Sequence, residues 1–198
     1  MATHAAVAAT SNALLGLLES AAAGEPELAT ASFALYTSGD LQRSIGERLV
    51  VSLYLYHVAV NTSRRNLAPR VDALGVRRRP PIPLDLHYLL TAWSKDATTQ
   101  QRALGWAVRV LHDAATLPAA VLNRHSPEEV FRADETVEVI WQNLTQQEVA
   151  DIWEVARDHQ QPSASYVARI VELESTVSLE EYPLVQTRDF GYGRVAVR

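Results

Sequence analysis

The hydrophobic pattern of this chain changes between helical and extended spacing, and it predicts an α/β fold. Apolar residues recur at three- and four-residue spacing over residues 4–23 and again from Leu104 to Ala115, which predicts two amphipathic helices. Alternating or continuous apolar runs predict strands at residues 30–37, 48–60, 84–90, 136–142 and 163–176. This order of elements implies one mixed β-sheet flanked by helices on one or both faces.

Two of the predicted strands differ in how they should be buried. Residues 48–60 read RLVVSLYLYHVAV, a run that is apolar on both faces and typical of a central strand covered on both sides. His57 lies inside this run, so we expect a core histidine with satisfied hydrogen bonds. The run at residues 84–90 alternates more regularly after two prolines, which predicts a half-buried strand.

Capping signals mark where several helices begin. Residues 126–129 read SPEE, with a serine cap and a proline at the first position, and predict a helix of one or two turns. Thr145 and Glu148 form a second capping box before an apolar helical face. Residues 96–101 supply cap candidates for the helix that follows them, including Thr98 with Gln101.

Two short segments give weaker signals of secondary structure. Residues 38–40 read SGD and predict a turn, and residues 119–122 can form a short helical turn or a sheet edge.

An arginine-rich segment, residues 61–79, separates two predicted strands and reads as a long hairpin loop or extended arm. Loops of this length in compact domains usually carry a function, so the arm is a candidate contact with a neighbouring subunit. The plainer alternative is a solvated hairpin tip. The arginines of this candidate interface are Arg64, Arg65, Arg70, Arg77, Arg78 and Arg79.

The last residues, 181–198, show no clear period and predict a C-terminal tail that follows a single domain over residues 1–180. Like the arm, the tail has little intrinsic packing, so it is the second candidate interface. Its candidate residues are Arg188, Phe190 and Tyr192.

Composition narrows the possible functions. The 198 residues are 47% hydrophobic and include no cysteine, which excludes disulfide frameworks, thiolate metal sites and cysteine nucleophiles. The net charge of −5 gives no global electrostatic case for binding nucleic acid. The N-terminus lacks the basic start of a signal peptide, and no apolar run is long enough to span a bilayer. We therefore expect a cytoplasmic protein without membrane contact.

Asp85 and His87 are the most suggestive chemical pair, because their spacing places both on one face of a strand. A carboxylate and an imidazole could bind a metal, but no third ligand lies at a suitable spacing, and a hydrogen-bonded structural pair is the default interpretation. We predict no catalytic, cofactor or metal site. A small-ligand-binding or enzymatic α/β domain with a site near Asp85 and His87 stays open as the alternative.

Four segments carry a family resemblance: LYLYHVAVN followed by RRN (residues 53–66), PPIPLDLHYLLTAW (80–93), LGWAVRVLHD (104–113), and LTQQEVADIWE with QPSASYVARIVELE (144–174). In these segments the chain resembles the cap, or tail-terminator, proteins of extracellular contractile injection systems of the antifeeding-prophage and virulence-cassette type.

The resemblance implies a non-enzymatic protein with a phage tail-terminator-like fold. It implies a homo-oligomeric ring, with six subunits as the expected number, at the particle end distal to the baseplate. There the ring would stop polymerisation of the inner tube protein and anchor the last layer of the sheath protein. Assembly in the cytoplasm is expected, with release in the particle as an open alternative. Some family members carry a further C-terminal domain that this sequence does not include, so we expect no surface-attachment role.

Overall fold

A computed structural model of the protein describes residues 4–64, 67–72, 74–126 and 128–179. The strands are β1 (Ser32–Tyr36), β2 (Val50–Val60), β3 (Arg70–Val71), β4 (Arg77–Arg78), β5 (Ile82–Trp93), β6 (Thr116–Pro118), β7 (Thr136–Gln142) and β8 (Ser163–Leu173). The α-helices are α1 (Ala6–Ala22), α2 (Ser38–Leu41), α3 (Ala97–Asp113), α4 (Ala119–Leu122) and α5 (Gln146–Trp153). Three 3-10 helices cover Pro26–Leu28, Thr62–Arg64 and Glu154–His159. No helix among these described residues is both long and apolar enough to cross a membrane.

Six strands form one mixed sheet in the order β1-β2-β5-β8-β7-β6. β1 is parallel to β2, and the other neighbours are antiparallel. Helices cover both faces of this sheet, which confirms the predicted mixed α/β architecture.

The larger core lies between the sheet and the helices α1, α3 and α4. Leu14 and Leu18 of α1 and Leu111 of α3 are fully buried against it. Ser11 of α1 also shares a 2.8 Å hydrogen bond with the hydroxyl of Tyr88 in β5, and burial raises the pKa of that tyrosine. The first helix is therefore fixed to the centre of the sheet by both apolar and polar contacts.

A smaller core lies on the opposite face, under α2, α5 and the 3-10 helix Glu154–His159. The rings of Trp93 and Trp153 pack here with centroids 5.8 Å apart. The predicted capping box is present, because the Thr145 side chain accepts from the Glu148 backbone N–H while the Glu148 carboxylate accepts from the Thr145 N–H. α5 therefore begins where the sequence predicts.

The prediction that residues 48–60 form the middle of the sheet is wrong. β5 and β8 occupy the centre, and β2 is second from the edge. Only the first half of β2 is covered by helices, so His57 is exposed instead of lying in the core. β5, predicted to be half-buried, is instead buried on both faces from Tyr88 to Trp93.

Some local predictions also need correction. Residues 128–131 form no helix, and Pro127 of the predicted helix start lies outside the described residues. The Asn123 side chain instead fixes an irregular loop, accepting from the backbone N–H groups of Val130 and Phe131 and donating to the Phe131 carbonyl at 2.8–3.0 Å. Burial of Val130 and Phe131 stabilises this loop over the local helix signal.

The turn signal gave a similar error, whereas the cap candidates at residues 96–101 include the residue that caps α3. Residues 38–40, predicted as a turn, begin the short helix α2, which has its own capping box. The helix α3 is capped by Asp96, whose carboxylate accepts from Thr99 N–H at 2.7 Å, and Thr98 is not the cap.

Candidate interaction surface

The arginine-rich arm folds back on the sheet as a small hairpin. We call the described residues of β3, β4 and the turn between them the arm hairpin. On one side of it, β4 pairs with the chain that follows β8: Arg79 N–H donates to the Val177 carbonyl at 3.1 Å, and Leu179 N–H donates to the Arg77 carbonyl at 2.8 Å. The arm is therefore an ordered element beside the end of the sheet. Its form resembles the hairpin interpretation of residues 61–79 more than the extended one.

Asp72 organises the turn of the arm hairpin. One of its carboxylate oxygens accepts from the N–H groups of Leu74 and Val76, both at 2.9 Å, and the other accepts from the Arg78 guanidinium at 2.7 and 2.9 Å. Gly75 has φ +77°, a left-handed conformation that favours glycine. The Arg78 hydrogen bond, together with the backbone N–H groups, lowers the pKa of Asp72.

The turn is expected to loosen in acid because of Asp72. The pKa of Asp72 is lower in the folded chain than its ordinary value of 3.8, so its contribution is complete above that value and is lost as the pH falls through the lowered pKa. NMR amide shifts of Leu74 and Val76, followed from about pH 6 to about pH 2, should report this transition.

The matched control is Asp72→Asn, which keeps an oxygen acceptor but removes the titrating charge. Its amide shifts should lack the acid transition. An equal transition in this variant would assign the effect to another group.

Arg70 attaches the arm hairpin to the main sheet. Its guanidinium donates to Glu174 at 3.0 Å and Glu135 at 3.4 Å, and it also pairs with Glu172. Glu172 is only 8% exposed. Burial lowers the pKa of Arg70, but the hydrogen bond to Glu174 and the three nearby carboxylates outweigh this effect and raise it. Arg70 is therefore a charged anchor that crosses from the hairpin to β8.

Two more arginines extend this network around a cavity of about 260 Å³. Arg132 donates to Glu174 at 2.9 Å and lies within 3.5 Å of Glu135, while Arg64 lies 3.5 Å from Glu172. For Arg70 and Arg64, acidic partners lie within the same chain.

The candidate interface arginines that the structure describes fall into three groups. Arg70 and Arg78 are occupied by internal contacts, and Arg64 is exposed with one internal ion pair. Arg77 and Arg79 are exposed, and neither side chain has an ion pair within the part of the chain that the structure describes. The remaining candidates lie outside the described residues: Arg65, Arg188, Phe190 and Tyr192.

The arm hairpin also has exposed apolar side chains, which the sequence analysis did not select. Leu74 at the tip of the arm hairpin is 86% exposed, and Val71 on β3 is 65% exposed. The signal was present in the sequence, because both are apolar residues in an arginine-rich segment. An ordered hairpin that exposes apolar side chains beside cations is suited to contact with another protein.

Asp85 and His87 do not form a joint site. The Asp85 carboxylate accepts from the Asn61 side chain at 2.9 and 3.0 Å and from Ile170 N–H at 3.2 Å. His87 Nδ1 lies 2.8 Å from the Gln142 side-chain oxygen. Each side chain thus has a structural hydrogen-bonding role with its own partners. Across the described ranges, no cluster of three or more acidic or histidine side chains has the arrangement of a metal site.

Two solved structures share this fold. The PVC sheath/tube terminator of an extracellular contractile injection system, in its extended state, matches with a TM-score of 0.58 and 12% identity over 96% of this chain and 64% of that chain. The anti-feeding prophage cap, described as the AFP tube terminating cap, matches with a TM-score of 0.57 and 14% identity over 91% of this chain and 59% of that chain. They confirm the predicted tail-terminator-like fold, and this chain spans less than two thirds of either one.

The family comparison covers most of the chain. Among curated proteins, no sequence matches this chain. Residues 9–187 match the family described as the Pvc16 N-terminal domain, which confirms the resemblance inferred from the sequence. The matched range includes the arm hairpin and the six-stranded sheet. The chain therefore belongs to the Pvc16 N-terminal domain family.

Proposed function

We propose that this protein is a structural cap of a contractile injection system. It forms a ring at the end of the inner tube distal to the baseplate, ends tube polymerisation and anchors the last sheath layer. The observation that carries this proposal is family membership over residues 9–187, together with a fold shared with a sheath/tube terminator over 96% of the chain.

The physical requirements of capping suit this architecture. A terminator must bind the last tube ring without offering the next tube subunit an equivalent surface, and it must contact its own copies through a contact that closes by rotation. The sheet is covered by helices on both faces, and the arm hairpin beside its end presents exposed side chains for contacts. We expect a ring of six copies that is assembled in the cytoplasm and contacts both tube and sheath proteins.

No observation favours the enzymatic alternative near Asp85 and His87. Both side chains have hydrogen-bonding partners within the fold, and the two residues bind different neighbours. A structural role explains both residues without substrate chemistry. We therefore propose a non-catalytic protein that needs no cofactor and binds neither nucleic acid nor membrane.

Deleting this protein from a strain that produces the particle tests the proposal. Electron micrographs should show tubes and sheaths of widely varying length, because nothing would stop polymerisation at a fixed point. Restoring the wild-type chain should restore one narrow length distribution. Uniform and stable particles in the deletion strain would contradict the capping function.

A His87→Gln variant separates this proposal from the enzymatic alternative. The substitution keeps a polar side chain of similar reach at a partly buried position, so the fold should persist. A cap should retain length control with this variant. A reaction that used the imidazole would fail even though the variant was present in normal amounts.

A further inference from the structure

We propose that the arm hairpin of one copy docks into a groove at the opposite end of a neighbouring copy, so that the ring is built from head-to-tail contacts. This inference rests on the proposed capping function and assigns the contact between its subunits. It pairs an apolar and basic projection with an apolar and acidic depression, both of which are present on every copy.

The groove lies between the 3-10 helix Pro26–Leu28 and the first half of α3. Its volume is about 650 Å³, within the range of pockets that bind small molecules. Leu28, Leu49 and Ala103 line the groove with at most 9% of their surface exposed, and the partly exposed ring of Trp106 supplies accessible apolar surface beside them. The groove is therefore large and apolar enough to receive side chains from a protein partner.

The arm hairpin has the properties of a preorganised ligand for such a groove. Leu74 and Val71 are strongly exposed, and Val76 is also exposed. The Asp72 hydrogen bonds fix the turn, and Arg70 fixes the base of the hairpin to the sheet. A projection that is already ordered loses little conformational entropy on docking, which favours binding by its small apolar surface.

The charges of the two surfaces are complementary. Arg77 in the arm hairpin and Arg79 directly after it are exposed and have no ion pair among the residues that the structure describes. Glu25 and Glu27 lie at the groove; Glu27 pairs with Arg102, whereas Glu25 is exposed with no ion pair in the described ranges. Opposite charges on the two surfaces select the orientation of docking and disfavour a contact between two hairpins.

A single copy cannot make this contact with itself. Leu49 of the groove directly precedes β2, and the arm begins directly after the last residue of that strand. The 11 residues of β2 span roughly 35 Å at the usual rise per residue. The Arg70 anchor also keeps the hairpin at its own end of the sheet. Two different surfaces at opposite ends of one body produce a heterologous contact, and such contacts form a ring when the rotation between copies closes.

Engineered disulfides test the contact directly, because the natural chain has no cysteine. Leu74→Cys places a thiol at the hairpin tip, and Gln101→Cys places one on the exposed side of the groove. Particles that contain the chain with both substitutions, after mild oxidation, should give a ladder of covalent oligomers on a non-reducing gel. Either substitution alone should leave monomers, and so should Leu74→Cys combined with Asp151→Cys on the exposed side of α5.

Charge reversal provides a second set of variants. The substitutions are at exposed positions, so the fold should stay intact. Either Arg77→Glu with Arg79→Glu or Glu25→Arg alone should reduce the amount of this chain in purified particles by about tenfold. Combining Arg77→Glu with Glu25→Arg in one chain should recover part of that loss, because the reversed charges face each other between copies.

The outcomes separate this inference from the proposed function. If deletion abolishes length control but the doubly substituted chain stays monomeric in particles of normal length, the docking inference is wrong and the cap function stands. If deletion leaves particle length unchanged, the cap function is wrong, and the ring contact with it. A ladder that requires both cysteines, together with charge-swap recovery, supports the docking.

Discussion

Replacing Trp153 with alanine is expected to lower the free energy of unfolding by roughly 3–5 kcal/mol, the usual effect of removing a fully buried tryptophan. Trp153 is 1% exposed and lies at the end of α5 in the smaller core, where its ring packs on Trp93. Its removal would leave a cavity between α5 and the sheet. Thermal unfolding should therefore begin roughly 10 °C lower than in the wild type.

Trp141→Ala is the matched control, because it removes the same side chain from the surface. Trp141 is 42% exposed and packs at one edge against Tyr166. Its loss should cost about 1 kcal/mol. Equal losses for the two variants would mean that the smaller core does not fix α5 as the structure indicates.

Replacing Arg70 with alanine is expected to release the arm hairpin. The change removes the cation shared by three carboxylates, so that Glu172 keeps only the weaker pair with Arg64, while Arg132 still pairs with the other two carboxylates. Breaking a fully buried ion pair costs about 3–5 kcal/mol, but Arg70 is 27% exposed, and screening by water reduces the expected loss to about 2 kcal/mol. Hydrogen exchange should accelerate in the arm hairpin more than in the central strands.

Arg77→Ala is the control for this prediction, since its side chain is exposed and forms no ion pair in the described part of the chain. It should change neither the unfolding free energy nor the exchange rates appreciably. High salt should weaken the wild-type anchor and narrow the difference between wild type and Arg70→Ala. Unchanged exchange in Arg70→Ala would show that the β4 pairing alone holds the arm.

Much of the fold could be predicted because strong local signals agree with the tertiary structure. The Thr145 capping box precedes an apolar helical face, so propensity, capping and burial all favour α5. At residues 126–129 a similar local signal fails, because hydrogen bonds from the Asn123 side chain and the burial of Val130 and Phe131 stabilise a loop. Local sequence cannot reveal that competition.

The order of the strands in the sheet was less predictable than which segments form strands. The apolar run at β2 indicates a buried strand on both faces, yet the helices cover only its first half. Which strand becomes central depends on the antiparallel pairing of β5 with both β2 and β8, a contact between residues far apart in the chain. The hydrophobic pattern alone contains no information about that pairing.

The candidate surface was predictable in part. The arginine content of residues 61–79 identified the arm, but its acidic partners were not identified, because Glu135, Glu172 and Glu174 come from a distant loop and the end of β8. The fold converts Arg70 into an internal anchor, whereas Arg77 and Arg79 are exposed and have no ion pair among the described residues. Composition could not separate these two roles.

Cryo-electron microscopy of the particle end distal to the baseplate tests the central claim most directly. We expect a closed ring of this chain on the last tube layer, in contact with the final sheath layer, with each arm hairpin seated beside α3 of the next copy. A distal tube end that is closed by another protein, or copies of this chain distributed along the tube, would contradict the account.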